Sequence, residues 1–356
     1  MVFLKGMDLS MLSELEKHGA KYYDNGVETE IFQILKTYGV NAVRLRIWND
    51  PCDKNGNPYG GGMNDFSTTI RLAEKIVQYG MKFLLNIHYS DFWTDPAKQM
   101  KPKAWRSLTG KSLETAVYDY TYNLISELKF RGLTPDLVQV GNELTNGFLW
   151  PDGKLPDYDG MIRLLRQGSA AVRKADSRIG IILHLDNGGK NSLYREWFGR
   201  VTEQSLDYDL IGLSYYPYWH GTLDDLTFNM NDISEKYHKN VMIVETAYGF
   251  TTENLGENMI FSDELAANTA FSPSKEGQKE FLSELTNRLK DVKGGRGKGF
   301  FYWEPEWLPI KGISWATKEG RDYIGDDSSG GNTWSNQALF DFKGNALPAL
   351  KAIRDL

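Results

Sequence analysis

The sequence contains very little cysteine. Only one of its 356 residues, Cys52, is a cysteine, so no disulfide can form within the chain. This is compatible with a cytosolic protein and equally with an exported bacterial protein that lacks disulfides. No apolar run approaches about 18 residues, which argues against a membrane-spanning helix. Basic residues are outnumbered, 41 against 47 acidic ones, and the net charge of −6 argues against nucleic acid or an anionic membrane as a partner.

Several chemical signatures are also missing. The chain has no G-x-G-x-x-G after an apolar run and no phosphate-binding P-loop, which argues against a nucleotide-binding sheet. Its five histidines show no H-E-x-x-H pairing, so no metal site is predicted from them. Aromatic residues, in contrast, are abundant: 10 Trp, 19 Tyr and 17 Phe. Such richness often marks stacking surfaces, although large cores explain part of it.

Short apolar runs alternate with amphipathic helical patterns along the whole chain. The runs are rich in Val, Ile and Leu, which is typical of parallel strands buried on both faces. Eight such units predict an α/β fold, a single-domain (β/α)8 TIM barrel over residues 1–356, closed by a helix around Leu347–Ile353. An open doubly wound sheet is the alternative, but it normally has fewer strands. The predicted strands are Phe3–Asp8, Ala42–Trp48, Phe83–Tyr89, Leu137–Glu143, Ile179–Asp186, Leu210–Tyr216, Val241–Glu245 and Gly299–Glu304. The predicted helices include Thr29–Gly39, Thr68–Gly80, Ser112–Arg131, Tyr158–Ala175 and Lys275–Val292.

Two glutamates end predicted strands. Glu143 follows the fourth apolar run and Glu245 follows the seventh, so both carboxylates are expected at the barrel mouth, where barrel enzymes place their chemistry. Two opposed carboxylates are what acetal cleavage requires, one as a proton donor and one as an ionised partner. A separation of about 5–5.5 Å predicts retention of configuration, and about 6.5–9.5 Å predicts inversion. The plainer interpretation is that each glutamate only forms an ion pair with an arginine.

Further polar and aromatic residues follow the same predicted strands. Arg44 and Arg46 share one strand face, and a guanidinium beside Glu245 is expected to lower its pKa and keep it ionised. His88 is expected to hydrogen-bond a neighbour or a sugar hydroxyl. Aromatic rings stack on the C–H face of a pyranose, whereas carboxylates accept its hydroxyls. The candidate sugar contacts are therefore Arg44, Arg46, His88, Asp91, Trp93, Asn142, Trp150, Asp186, Tyr216, Trp219, Trp303, Glu304 and Trp307.

The sequence resembles a known family at these residues. The segments "GAKYYDNGVETEIFQILKTYGVNAVRLRIWNDP", "NIHYSDFWTDP", "VGNELTNGFLWP", "HLDNGG", "SYYPYW", "VETAYG" and "FYWEPEW" together are similar to glycoside hydrolase family 53, the endo-β-1,4-galactanases. The resemblance implies hydrolysis of internal β-1,4-galactosyl bonds in the galactan side chains of pectin, with retention. It implies that Glu143 is the acid/base, that Glu245 is the nucleophile, and that Asn142 bonds the sugar 2-hydroxyl.

One departure from the family concerns calcium. Some bacterial members hold a calcium ion between the loops after strands seven and eight, with an Asp-x-Asp-x-His-x-Asn-like run. This sequence has "TTENLGENMIFSDELAANTAF" there instead, and the second loop offers Asn332 and Ser335 without a nearby carboxylate. Asp263, Glu264 or Asp327 could build a different site. We therefore expect no required cofactor, and a structural calcium ion is not expected.

Three alternative functions stay open from the sequence. They are another retaining endo-β-glycanase of the mannanase or cellulase type, a non-catalytic barrel that binds glycans, and a barrel acting on a phosphorylated sugar. The acidic and aromatic segments "ETAYG" and "YWEPEW" argue against the last, since they would repel phosphate. The expected partners are galactan and galacto-oligosaccharides, and the expected state is a monomer. Because a cell-wall polymer cannot enter a cell, an extracellular or cell-surface location is expected, with a signal peptide already removed.

Overall fold

Eight parallel strands close into a barrel in the computed structural model, which describes residues 2–255 and 259–355. Each strand pairs with its neighbours in chain order, and the last strand pairs with the first. This confirms the predicted (β/α)8 barrel. The strands are β1 (Leu4–Asp8), β2 (Ala42–Ile47), β3 (Lys82–Ile87), β4 (Leu137–Val140), β5 (Gly180–Leu185), β6 (Leu210–Ser214), β7 (Asn240–Thr246) and β8 (Gly297–Tyr302).

Helices surround the barrel and follow the strands along the chain. Three predicted helix ends are confirmed, because Gly39, Gly80 and Gly132 adopt φ of 79°, 65° and 75°, the left-handed conformation that terminates a helix. No helix among the described residues has the length and apolarity needed to cross a membrane. The helices are α1 (Leu12–Lys17), α2 (Ile31–Thr37), α3 (Phe66–Gln78), α4 (Gly110–Phe130), α5 (Tyr158–Ala175), α6 (Asn191–Glu203), α7 (Leu223–Tyr237), α8 (Asp263–Ala266), α9 (Lys275–Lys290), α10 (Lys318–Ile324) and α11 (Pro348–Asp355).

The barrel interior changes from apolar to polar along the strands. Because side chains alternate between the two faces of a strand, inward positions recur every second residue. The lower level is a buried apolar cluster of Leu4, Ala42, Leu84, Leu137, Ile182, Leu210, Met242, Val244 and Phe301. Two or four residues further along, the inward positions are polar and also buried, including Asp8, Arg44, Asn86, Gln139, His184 and Ser214. The apolar level closes the bottom of the barrel, and the polar level supports the mouth.

Most strands end earlier than predicted, and the residues beyond them turn sharply. The fourth strand ends at Val140 rather than at Glu143. Gly141 then adopts φ of 87°, and a Cβ there would lie 2.6 Å from Leu144 Cδ2, so the position requires glycine. Glu143 itself has φ of 47°, a left-handed conformation that is uncommon outside glycine. The chain therefore leaves the strand before it presents this carboxylate at the mouth.

Candidate active site

Glu143 and Glu245 face each other across the mouth of the barrel. Glu143 follows β4 and is partly exposed, whereas Glu245 lies within β7 and is buried. Both line a cleft of about 690 Å³. A carboxylate oxygen of each lies within 4.8 Å of the other and of a ring nitrogen of His184. The predicted convergence of the two strand-end glutamates is therefore observed.

Arg44 connects Glu245 to the polar level below it. The guanidinium donates from Nη2 to Glu245 Oε1 and from Nη1 to Asp8 Oδ2, both at 2.7 Å, and its side chain is fully buried. The same Nη2 donates to Asn142 Oδ1 at 3.2 Å, and Nε donates to Gln139 Oε1 at 2.7 Å. Arg44 does not line the cleft. It holds residues that do, so it positions Glu245 and Asn142 instead of reaching the ligand itself.

The environments of the two glutamates separate their acidities. Burial raises the pKa of Glu143 well above its usual value, and the charges of Glu245 and Asp186 raise it further. Burial also raises the pKa of Glu245, but there Arg44 opposes the shift. The predicted effect of Arg44, a lowering of the pKa of Glu245, is therefore present, but desolvation outweighs it and the net shift is upward. The difference between the two still favours a protonated Glu143 beside an ionised Glu245.

Ser214 and His184 form a hydrogen-bonded bridge to Glu143 that the sequence did not single out. Ser214 Oγ lies 2.7 Å from Glu143 Oε1 and 2.8 Å from His184 Nε2. His184 Nδ1 accepts from the Glu143 backbone N–H at 3.3 Å and from Gln139 Nε2 at 3.0 Å. Both ring nitrogens are therefore occupied. The period-two pattern Leu210, Gly212, Ser214 along β6 is the signal that places this hydroxyl inside the barrel.

Asn142 lies beside Glu143 with a fixed amide orientation. Its Oδ1 accepts from Arg44 Nη2, which can only donate, and from Asn86 Nδ2 at 3.0 Å. Its Nδ2 donates to the backbone oxygen of Thr94 at 2.9 Å. An amide nitrogen carries two hydrogens, so one remains for a ligand in the cleft that Asn142 lines.

Aromatic rings form most of the apolar wall of the cleft. Trp93, Tyr216, Trp219, Trp303 and Trp307 line it as expected. Tyr216 also donates its hydroxyl hydrogen to Glu245 Oε2 at 3.3 Å. Trp315 and Trp334, which the sequence reasoning missed, come from the long segment after β8. That segment supplies more lining residues than any other, because seven lining positions fall between Trp303 and Trp334.

The chain also matches known proteins over its whole length. The family model described as "Glycosyl hydrolase family 53" matches residues 4–353. The chain belongs to this family. It is 37% identical to the endo-β-1,4-galactanase of Bacillus subtilis (strain 168), over 99% of this chain and 85% of that protein. It is 38% identical to the arabinogalactan endo-β-1,4-galactanase of Cellvibrio japonicus (strain Ueda107), over 98% of this chain and 89% of that protein.

A solved structure agrees with this membership. The "Ignisphaera aggregans GH53 catalytic domain" superimposes with a TM-score of 0.93 at 40% identity, covering 99% of this chain and 95% of that one. The chain is therefore a glycosidase, and its carboxylate pair fits this activity because acetal cleavage requires two such groups.

Two further predicted residues of this family 53 glycosidase support the cleft from below. Arg46 is fully buried and donates to Glu304 Oε1 and, at 2.7 Å, to the backbone oxygen of Gly61. Its guanidinium lies 4.3 Å from the ring centre of Trp93, which lines the cleft. Burial raises the pKa of Glu304 to about 8, against the opposing effect of Arg46. Neither Arg46 nor Glu304 lines the cleft, so their contact with the wall is indirect.

Asp186 is brought to the cleft, whereas His88 is not. The Asp186 carboxylate lines the cleft and accepts from Asn187 Nδ2 at 2.6 Å and from the hydroxyl of Thr145. His88 is buried between Asn86 Nδ2 at 3.1 Å and Thr94 Oγ1 at 2.9 Å, so it bonds neighbours only.

Asp91 and Trp150 are held away from the cleft by their own contacts. The Asp91 carboxylate is buried and accepts from the backbone N–H groups of Asp50 and Lys103 and from the hydroxyl of Tyr323, so it ties loops together. Trp150 donates to the backbone oxygen of Asn146, and Lys154 Nζ covers one ring face at 4.2 Å from its centre. The sequence could not distinguish these residues from the lining ones, because all of them follow strand ends.

The predicted calcium candidates do not converge. Asp263 and Glu264 are exposed in the first turn of α8, and Asp327 is exposed after α10. Within residues 2–255 and 259–355, the one group of at least three His, Cys, Asp or Glu residues with ligand atoms close enough for an ion is Glu143, His184 and Glu245. Both ring nitrogens of His184 in this group are already engaged in hydrogen bonds with protein groups.

Proposed function

We propose that the chain is an endo-acting retaining glycosidase that hydrolyses β-1,4-galactosyl bonds of galactan and type I arabinogalactan. The observation that supports the retaining mechanism is the proximity of the two glutamates, whose nearest oxygens lie within 4.8 Å. A carboxylate pair separated by about 5–5.5 Å leaves no room for a water molecule behind the sugar, as an inverting enzyme needs about 6.5–9.5 Å. One carboxylate must then attack the sugar directly.

The electrostatics of the pair assign the roles. Glu245, held by Arg44 at 2.7 Å, is the nucleophile that attacks the anomeric carbon. Glu143, whose pKa is raised by burial and by the charge of Glu245, gives its proton to the leaving oxygen. It then deprotonates the water that releases the sugar from Glu245. The free hydrogen of Asn142 Nδ2 is placed to bond the 2-hydroxyl, a contact that strengthens in the transition state.

The substrate follows from the family and from the relatives. Two relatives that match nearly the whole chain carry the names endo-β-1,4-galactanase and arabinogalactan endo-β-1,4-galactanase. The aromatic wall of the cleft, which encloses about 690 Å³, is suited to several sugar units of a polymer. We extend the same substrate class to this chain.

Product sizing tests the substrate and the mode of attack. The purified protein is incubated with β-1,4-galactan, with mannan and with a soluble cellulose, and the products are sized over time. We expect medium-length galacto-oligosaccharides early and little release from the other polymers. Faster hydrolysis of mannan or cellulose would overturn the substrate, and steady release of a single short product would overturn the endo mode.

Variants at the two glutamates test the roles. Glu143→Gln and Glu245→Gln are each expected to reduce turnover of galactan by several orders of magnitude while binding stays detectable. Glu143→Ala is expected to keep releasing the aryl group of an aryl galactobioside, because that leaving group needs no proton. Glu245→Ala is expected to release none. Wild-type turnover in either Gln variant would contradict the proposal.

The setting of the enzyme remains a proposal on the same basis. A polymeric wall substrate requires an extracellular or cell-surface enzyme, which we propose for this chain. A monomeric state and independence of cofactors or calcium stay predictions. Activity after exhaustive chelation, together with light scattering of the purified protein, checks them.

A further inference from the structure

Ser214 lies between the two glutamates at the end of β6. Its Oγ is 2.7 Å from Glu143 Oε1 but 3.5 Å from Glu245 Oε2, so the shorter contact is with the proposed acid/base. The side chain is fully buried, whereas Glu143 is partly exposed and lines the cleft. Ser214 therefore contacts the inner oxygen of the carboxyl. Among the described residues, Glu143 Oε2 accepts no hydrogen bond.

The direction of each hydrogen bond in this chain is fixed from Arg44 outward. Arg44 Nε can only donate, so its partner on Gln139 is the oxygen, at 2.7 Å. The amide nitrogen of Gln139 then donates to His184 Nδ1 at 3.0 Å, and the backbone N–H of Glu143, which can only donate, does so at 3.3 Å. Nδ1 is therefore an acceptor, and it carries no hydrogen for Asn142 Oδ1, which lies 3.2 Å away. With Nδ1 accepting, the neutral ring carries its hydrogen on Nε2 and donates to Ser214 Oγ at 2.8 Å. The hydroxyl hydrogen of Ser214 is left to point at Glu143.

We propose that Ser214, oriented by His184, is a positioning residue for the general acid. By donating to Oε1 it keeps that oxygen an acceptor, so the transferable proton of Glu143 is held on Oε2. This inference rests on the proposed function, since it gives Glu143 the role of acid/base.

The hydrogen bond from Ser214 to Glu143 acts in both halves of the reaction. When the glycosidic C–O bond breaks, its electron pair stays on the leaving oxygen, the proton moves there from Glu143 Oε2, and Glu245 bonds the anomeric carbon. The hydrogen bond from Ser214 strengthens as Glu143 becomes negative, because bonds to charged acceptors are stronger. Ser214 transfers no proton. In the second half, the oxygen of a water molecule bonds the anomeric carbon while its proton moves to Glu143 Oε2, and the Glu245–sugar bond breaks with its electron pair left on Glu245.

Ser214 opposes the other groups that face Glu143. Burial and the charges of Glu245 on β7, Asp186 after β5 and Asp95 after β3 all raise the pKa of Glu143, and the Ser214 hydrogen bond lowers it. His184 is kept neutral, since burial and Arg44 lower its pKa well below the usual value. Loss of Ser214 therefore makes Glu143 a weaker acid.

Ser214→Ala tests the proposal through the pH profile. We expect kcat/KM on galactan to fall about 10- to 100-fold, the effect of losing a hydrogen bond to a charged group. We also expect the basic limb of kcat/KM, which reports the acid, to move to higher pH. Ser214→Thr, which keeps a hydroxyl, is expected to restore the limb. A loss of activity with an unmoved limb would mean a structural role only and would overturn the proposal.

A matched control separates hydroxyl loss from the loss of this hydrogen bond. Ser169 is also buried, and its Oγ has no hydrogen-bond partner among the residues that the structure describes, so Ser169→Ala removes the same atom without the bond. Its profile is expected to match the wild type. If Ser214→Ala also matches the wild type, the positioning role is wrong.

Two further measurements distinguish this inference from the proposed function. In Ser214→Ala, kcat/KM is expected to fall far less for an aryl galactobioside, whose leaving group needs no proton, than for galactan. If Glu143→Ala no longer releases the aryl group from that substrate, the assignment of Glu143 as the acid/base itself fails. Nitrogen NMR of labelled wild-type protein, assigned with a His184→Gln variant, is expected to show the hydrogen of His184 on Nε2. A hydrogen on Nδ1 would overturn the positioning chain even with Glu143 as the acid.

Discussion

Replacing Arg44 by methionine tests whether the guanidinium holds the proposed nucleophile in place. The Arg44 side chain is 0% exposed and forms ion pairs at 2.7 Å with both Asp8 and Glu245. Removing one partner of a buried pair costs about 3–5 kcal/mol, because a carboxylate is left uncompensated. An unfolding entropy of about 2.1 cal/mol/K per residue gives about 0.75 kcal/mol/K for 356 residues. The melting temperature is therefore expected to fall by about 4–7 °C.

The loss of stability in Arg44→Met should also depend on pH in a defined direction. Without Arg44, the main effect that opposes burial is lost and the hydrogen bond from Tyr216 remains, so the folded-state pKa of Glu245 rises further above the unfolded value. A group with a raised folded pKa stabilises the fold at low pH, and this contribution is lost as pH rises through the folded pKa. Thermal unfolding is therefore expected to show a larger deficit at pH 8 than at pH 5. The acid limb of kcat/KM should move to higher pH.

An exposed pair of the same length provides the control. Arg131 lies 2.7 Å from Glu127, and the two side chains are 46% and 42% exposed. Because water screens such pairs, Arg131→Met is expected to change the melting temperature by no more than about 1 °C. Equal melting temperatures for the two variants, or an unmoved acid limb in Arg44→Met, would refute the reasoning from burial.

Three other variants address the surroundings of the pair. Burial raises the pKa of Glu304 from 4.5 to about 8, so the unfolding free energy should fall as pH rises across that window, and Glu304→Gln should flatten the fall in urea titrations. Trp219, 45% exposed on the cleft wall, should raise KM for galactan when changed to Ala, whereas Trp150→Ala, away from the cleft, should leave KM unchanged. Tyr216→Phe removes a hydrogen bond that lowers the pKa of Glu245, so its acid limb should move slightly to higher pH.

The sequence predicted the barrel and the convergence of the glutamates because both depend on local patterns. Apolar runs buried on both faces identify parallel strands, and the closure of eight such strands brings their ends together. The strand ends were less accurate. The left-handed turn at Glu143 depends on Gly141 and its packing against Leu144, which alternation along a strand does not reveal.

Which polar residues reach the cleft could not be predicted, since it depends on tertiary partners. Asp91 and Trp93 are two residues apart, yet loop contacts with Lys103 and Tyr323 draw the carboxylate away while the indole lines the cleft. Ser214 was missed because its signal is incomplete. The period-two pattern of β6 places the hydroxyl inside the barrel, but only the contacts with His184 and Glu143 show which groups it joins.

The segment after β8 lines the cleft but does not carry the two glutamates. It supplies more of the cleft wall than any other segment, from Trp303 to Trp334, while Glu143 follows β4 and Arg44 and Glu245 lie on β2 and β7. A change in this one segment can therefore alter the length of oligosaccharide that the enzyme binds and leave the reacting groups unaltered. For protein engineering, it is the natural unit to transplant when a different product size is wanted.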